Sequence, residues 1–169
     1  MMGCSSSMHS TANSLRADFQ TSISDKQKLI IKSTWNTVEE NRTKVGKQTF
    51  LRVFEVMPEL KTKFPGKVDI EQLKSTRTLY GHNKILMKSI ENAVASLDDN
   101  ESFVTYLVEL GRRHQVRPLK AQYLEVIYEA LMFSFKDLFQ EQWIKETSDA
   151  WGALFRFMFE AIKTGLHDT

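Results

Sequence analysis

LYGHNKILMKSI at residues 79–90 and YLVELGRRHQVRPLKAQYLEVI at residues 106–127 decide the reading of this chain. Apolar residues around both stretches recur at steps of three and four, the period that lines one face of an α-helix. The first stripe runs Leu79, His82, Leu86, Ile90, Ala93 and Leu97. The second runs Phe103, Leu107, Leu110 and His114. Each inward face therefore carries one histidine, and a buried imidazole without a partner is costly. One such residue alone reads as a core histidine bonded to a nearby carbonyl. Two of them, on the inner faces of separate helices, point to a shared ligand.

The nature of that ligand follows from what else is available. A conventional zinc site takes at least three protein ligands, and the only cysteine, Cys4, lies outside the domain. Heme needs one or two axial imidazoles and otherwise an apolar slot. The other histidines, His9 and His167, sit near the two ends and read as solvated.

Working outward, the remaining sequence reads as further amphipathic helices, without the strict alternation of half-buried strands. Ser24 with Gln27 forms a capping box at the start of a helix over 25–42, with Ile31, Trp35 and Val38 inward. A helix over 43–57 carries Phe50, Val53, Phe54 and Met57, and Pro58 closes it. A short turn reaches Phe64 before the break at Pro65-Gly66. The two histidine helices cover 71–96 and 101–115, separated by Asp98-Asp99-Asn100. Pro118 opens a helix that runs to 139. A last helix over 141–164 carries Trp151, Phe155, Met158 and Ile162, with Gly165 as its stop.

With 169 residues the chain suits one domain. Seven Gly and three Pro leave room for long helices and argue against a turn-rich β architecture. Twenty-three Lys and Arg are interspersed with 21 Asp and Glu for a net charge of +2, with no basic stripe, so nucleic acid is not an expected partner. A single cysteine excludes an intrachain disulfide and points to a reducing compartment. No apolar run approaches the roughly 20 residues that span a bilayer, and no secretory signal stands at the N-terminus. Nothing in the sequence decides the oligomeric state.

These stretches resemble the globin family over about residues 24–165. LRVFEVMPELKTKFPG at 51–66 is similar to the globin second helix, its proline turn and the phenylalanine wedged against heme. The 79–90 and 106–127 stretches resemble the distal and proximal helices, and LGRRH at 110–114 resembles the neuroglobin-like branch. The resemblance implies an all-α globin fold of about seven to eight helices sandwiching heme b. It implies His114 as the proximal iron ligand, its Nδ1–H donating to a carbonyl near Leu110, and His82 as the distal residue and sixth ligand of a hexacoordinate, bis-histidyl iron. Phe64 corresponds to the aromatic packed on the porphyrin, Pro58 to the proline of the short third helix, and Phe50 and Leu86 to distal pocket positions. Leu110, Leu119, Leu124 and Ile127 correspond to positions around the proximal face and the heme interior; as apolar residues, all of these also read as plain core. Ile85 departs from the basic residue that many relatives use for a heme propionate, and Lys84, Arg113 or Arg117 are the alternatives.

The resemblance implies reversible binding of O2, CO and NO. Its alternative is redox work with a reductase partner, such as nitrite reduction or NO removal. Residues 1–22 read as a disordered tail ahead of a domain at 23–169. Within the tail, Met2-Gly3-Cys4-Ser5-Ser6-Ser7 resembles a myristoylation signal at Gly3 with a palmitoylation candidate at Cys4, as in the membrane-attached globin X group. Met1 puts Gly3 one position late for that chemistry unless translation starts at Met2. The expected location is intracellular and cytoplasmic, with the inner face of the plasma membrane if both lipids are attached.

Overall fold

The computed structural model describes residues 4–63, 77–115 and 119–167. Gly3, Phe64, the Pro65-Gly66 break, the beginning of the expected 71–96 helix, Arg117 and Pro118 lie outside them. Among the described residues there are seven α-helices, two short 3-10 turns and no strand. None of these helices is long and apolar enough to cross a membrane.

Helix α1 spans Cys4–Ser22. This corrects the expectation of a disordered tail. Leu15, Phe19 and Ile23 are spaced four apart and form a short apolar stripe that the serine-rich composition around it conceals. Phe19 is fully buried, with its ring 5.0 Å from Phe103 and 4.8 Å from Phe157, and Ile23 is buried behind it. Burying a side chain of this size stabilises by about 1.5–3 kcal/mol, which favours holding the segment on the domain.

Helix α2 spans Asp25–Glu40 and opens with the expected capping box. The backbone N–H of Gln27 donates to Ser24 Oγ at 3.2 Å, and that of Ser24 donates to Gln27 Oε1 at 2.9 Å. Helix α3, Arg42–Val56, stops before Pro58, where a 3-10 turn spans Pro58–Lys63. Helix α4 covers Arg77–Ala95 and α5 covers Asn100–Gln115. Asp99 caps α5 by accepting the backbone N–H of Ser102 at 3.3 Å. Helix α6 spans Ala121–Phe139, and a 3-10 turn at Gln140–Gln142 leads to α7 at Lys145–His167.

Helix α7 is the centre of the core and packs most heavily on α5, with α1, α2 and α6 around it. Trp151 is fully buried, its Nε1–H donating to Thr34 Oγ1 on α2 at 3.0 Å and its ring edge-on to Phe135 of α6 at 4.8 Å. Helix α3 packs mainly on α6, and α4 leans on α3 and α2. Gly165 does not end α7; the helix continues through it to His167. A Cβ at Gly165 would stand 2.0 Å from the carbonyl oxygen of Val108, and one at Gly111 would stand 2.1 Å from that of Ile162. The glycine serves an approach of two backbones rather than a stop.

Candidate functional site

His82 and His114 come from the two helices that leave the corner at residues 96–99 in opposite directions along the chain. Their rings face each other with centroids 6.4 Å apart and planes at 71°. A metal–imidazole bond of about 2.1 Å, plus about 1 Å from that nitrogen to its ring centre, taken on both sides, separates two axially bound rings by about 6.2 Å. The observed spacing matches one metal ion between two imidazoles. Direct hydrogen bonding of the rings through a shared proton would bring the centroids closer.

The orientation of His114 is fixed by its own helix. Its Nδ1 lies 2.7 Å from the carbonyl oxygen of Leu110. A carbonyl only accepts, so Nδ1 carries the hydrogen and donates it, leaving Nε2 with its lone pair as the ligand nitrogen of a neutral ring. Such a partner also raises the basicity of the ligand nitrogen. His114 sits in the last turn of α5 beside Arg112 and Arg113, and the latter engages Glu109 at 3.4 Å. On the other side, the ring of Phe50 stands edge-on to His82 at 5.5 Å.

Two apolar clusters meet at this place. One is the main core on α7; the other gathers Phe50, Val53, Phe54, Leu60, Tyr123 and Ala130 between α3 and α6. Leu86, Leu119 and Ile127 belong to the borders of both and are only half-buried, as is Leu110. Phe50 and Leu124 are buried. Phe50 of one cluster touches the His82 ring and Leu110 at the border of the other bonds the His114 ring, so apolar residues border both imidazoles, which suits a flat apolar group carrying a metal at its centre. Among the described residues no group of three or more His, Cys, Asp or Glu converges as a self-contained metal site. Ile85 is 54% exposed and Lys84 is exposed at the rim.

Several residues that shape this site carry no functional signal in the sequence. Ser89 of α4 and Tyr106 of α5 approach to 3.1 Å, oxygen to oxygen. Asn83, next to His82, is buried over Gly46 of α3, and its Oδ1 has no hydrogen-bond partner among the described residues. Helix-interior glycines at 46, 111 and 165 are the one legible sign of such close approaches.

A family model described as Globin matches residues 47–162. Neuroglobin of Danio rerio is 26% identical over 146 residues, covering 85% of this chain and 92% of its own length. An anaerobic nitrite reductase of Solanum lycopersicum is 25% identical over 147 residues, covering 85% of this chain and 94% of its own. Among solved structures, a hexacoordinated heme protein from an anhydrobiotic tardigrade, crystallised at pH 4, superposes with a TM-score of 0.79. It is 20% identical and covers 85% of this chain and 95% of its own, a likeness of fold.

Proposed function

The chain belongs to the globin family, and from that premise we propose that it holds heme b between His114 and His82 and reversibly binds O2, CO and NO, with both imidazoles on the iron when no external ligand is present. The observation that carries this reading is the pair of imidazoles facing across 6.4 Å. His114 and His82 would hold the heme, which would supply an iron that binds diatomic ligands and changes oxidation state by one electron.

The protein's part is positioning. The Leu110 carbonyl holds the His114 ring so that Nε2 is the ligand nitrogen. Phe50, against the His82 ring, restricts its side-chain rotation. Leu86, Leu110, Leu119, Leu124 and Ile127 exclude water from the faces of a planar group, and the family position of Phe64 adds an aromatic wedge. At the observed spacing His82 occupies the place of an external ligand. Apparent affinity is therefore the intrinsic affinity reduced by the fraction of molecules in which His82 has withdrawn. Once withdrawn, His82 is a hydrogen-bond donor beside the entering ligand.

Spectra of hemin-reconstituted protein in the ferric, ferrous and carbonyl states test this. A six-coordinate low-spin ferrous spectrum is expected. A five-coordinate high-spin ferrous form would remove His82 as sixth ligand, and absence of a Soret band would remove heme altogether. His82→Leu should speed CO binding to the ferrous protein.

The relative named as an anaerobic nitrite reductase favours a second reading, in which a reductase feeds electrons to the site for nitrite reduction or NO removal. Fast autoxidation with weak O2 retention would select that reading, and slow autoxidation the first. We further propose a cytoplasmic protein attached to the inner membrane face through Gly3 and Cys4. Acylation assays on chains started at Met1 and at Met2 decide this, and absence of lipid on both ends it.

A further inference from the structure

Helices α4 and α5 are two arms joined at the corner formed by the turn at 96–99. At about 1.5 Å of rise per residue, His82 stands about 20 Å from the end of α4 at Ala95, and His114 about 21 Å from the start of α5 at Asn100. The two imidazoles are thus at the open ends of arms of nearly equal length. Between corner and rings, the arms find their main packing elsewhere, α5 on α7 and α4 on α3. Ser89 and Tyr106 bridge them at 3.1 Å, each about 9 Å from the corner by the same rise.

The direction of that bridge is determined. Ser89 has one hydroxyl hydrogen, and it is given to the carbonyl of Ile85 at 2.9 Å. The hydrogen between the two side chains therefore comes from Tyr106, whose phenol donates to Ser89 Oγ. Ser89 is buried, so this bond is sheltered from water. A bridge at about 9 Å on arms of about 20 Å roughly doubles any displacement by the time it reaches the rings. About 0.5 Å of slack at Ser89 becomes about 1 Å between the imidazoles, half the length of a metal–nitrogen bond of about 2.1 Å.

We propose that the Ser89–Tyr106 bond is a strut that sets the distance of His82 from the opposite imidazole, and so the competition between His82 and external ligands; this rests on the heme reading above. Ser89 and Tyr106 are positioning residues that act through His82. Because Phe50 obstructs rotation of the His82 ring, withdrawal of His82 moves α4 away from α5 and breaks the strut. The bond belongs to the closed state, and its loss shifts the equilibrium toward the open one by about 2- to 10-fold, the factor a net neutral hydrogen bond supplies.

The test is CO recombination with hemin-reconstituted ferrous full-length protein after flash photolysis, together with its ferrous absorption spectrum. Tyr106→Phe and Ser89→Ala are each expected to raise the rate limited by His82 release about 2- to 10-fold and to increase the high-spin fraction. Ser89→Thr keeps the hydroxyl and should retain the wild-type rate. In a His82→Leu background, Tyr106→Phe should add no further change. Six-coordinate wild type with unchanged rates in both Tyr106→Phe and Ser89→Ala overturns the strut while leaving the heme reading intact. A five-coordinate wild type overturns the sixth ligand first, and the strut with it. An equal effect of Tyr106→Phe with and without His82 also overturns it, since the change would then act by another route. Melting of each variant shows whether it folds, and where one hydroxyl deletion does not fold the other alone decides.

Discussion

Replacing Gly111 by alanine should lower stability and disturb the site three residues further along α5. The added Cβ would lie 2.1 Å from the Ile162 carbonyl oxygen and 2.9 Å from the Gly165 Cα. A carbon–oxygen contact settles at about 3.3–3.6 Å, so α5 and α7 must part by about 1.2 Å at their closest point. Both neighbours are backbone, and neither can rotate away. Overpacking costs about 1–3 kcal/mol, and this geometry belongs at the upper end. Alanine returns about 1 kcal/mol of helix propensity over glycine. The net loss is about 2 kcal/mol, or about 4–8 °C in melting temperature for a chain of this size. Gly81 supplies the control, because a Cβ there meets nothing within 4 Å. Gly81→Ala keeps the propensity gain without the clash and should raise the melting temperature by about 2–4 °C. Thermal unfolding followed by circular dichroism on both variants reads the difference in sign. If Gly111→Ala melts at or above wild type, the backbone crossing of α5 and α7 is not as close as described, and the account of how His114 is anchored fails with it.

Three further outcomes follow from other parts of the structure. Gly46→Ala should cost less than Gly111→Ala, under about 1 kcal/mol net, although its Cβ would come within 1.6 Å of Asn83 Oδ1. The obstructing atom ends a side chain beside a groove lined by Arg42, Lys84 and Lys88, into which it can turn; a loss equal to that of Gly111→Ala in the same melting assay would contradict this. Phe19→Ala removes a fully buried ring between Phe103 and Phe157 and should destabilise by about 3–5 kcal/mol in denaturant unfolding, whereas an unchanged midpoint would return α1 to the status of a tail. Glu91 is held below its ordinary value of 4.5, first by its hydrogen bond to Lys88 and then by Arg42. A depressed folded value contributes stability above pH 4.5 that is lost as pH falls through the folded value. Glu91→Gln should therefore be less stable than wild type near neutrality and converge with it in acid, and a gap that stays constant with pH would contradict the assignment.

The helices were legible because their signals are local. The Ser24 and Gln27 cap, the Pro58 stop and the apolar stripes through His82 and His114 each depend on residues within one or two turns. The facing of the two imidazoles was legible only in part. Periodicity puts each histidine inward, but the 6.4 Å spacing depends on how α4 and α5 diverge and on what holds them. Residues that act between helices left little trace. Ser89 and Tyr106 are 17 positions apart and look like an ordinary helix serine and a core tyrosine. Gly165 follows the rule for a C-terminal stop, yet its lack of a side chain is used by the backbone of α5. Helix α1 was missed because an average over small polar residues hides the Leu15, Phe19 and Ile23 stripe, whose value depends on a cleft between α5 and α7 built far downstream.

The two sides of the site are held by different kinds of contact, and this determines which side can yield. Helix α5 is locked to α7 backbone against backbone at Gly111 and Gly165, and the His114 ring is tied to its own helix at Leu110. Helix α4 rests on α3 through side chains, with Asn83 over Gly46 and Glu91 reaching Arg42. The buried Oδ1 of Asn83 lacks a partner among the described residues, a condition that costs about 1–3 kcal/mol and is relieved when water reaches it. The Ser89–Tyr106 bond opposes separation of α4 from α5 with a net worth of about 0.5–1.5 kcal/mol. The position of His82 is thus set by side-chain contacts worth about 1 kcal/mol each, whereas α5, which carries His114, is held by a backbone crossing with α7. A change in the spacing of the two rings is therefore a movement of the His82 side.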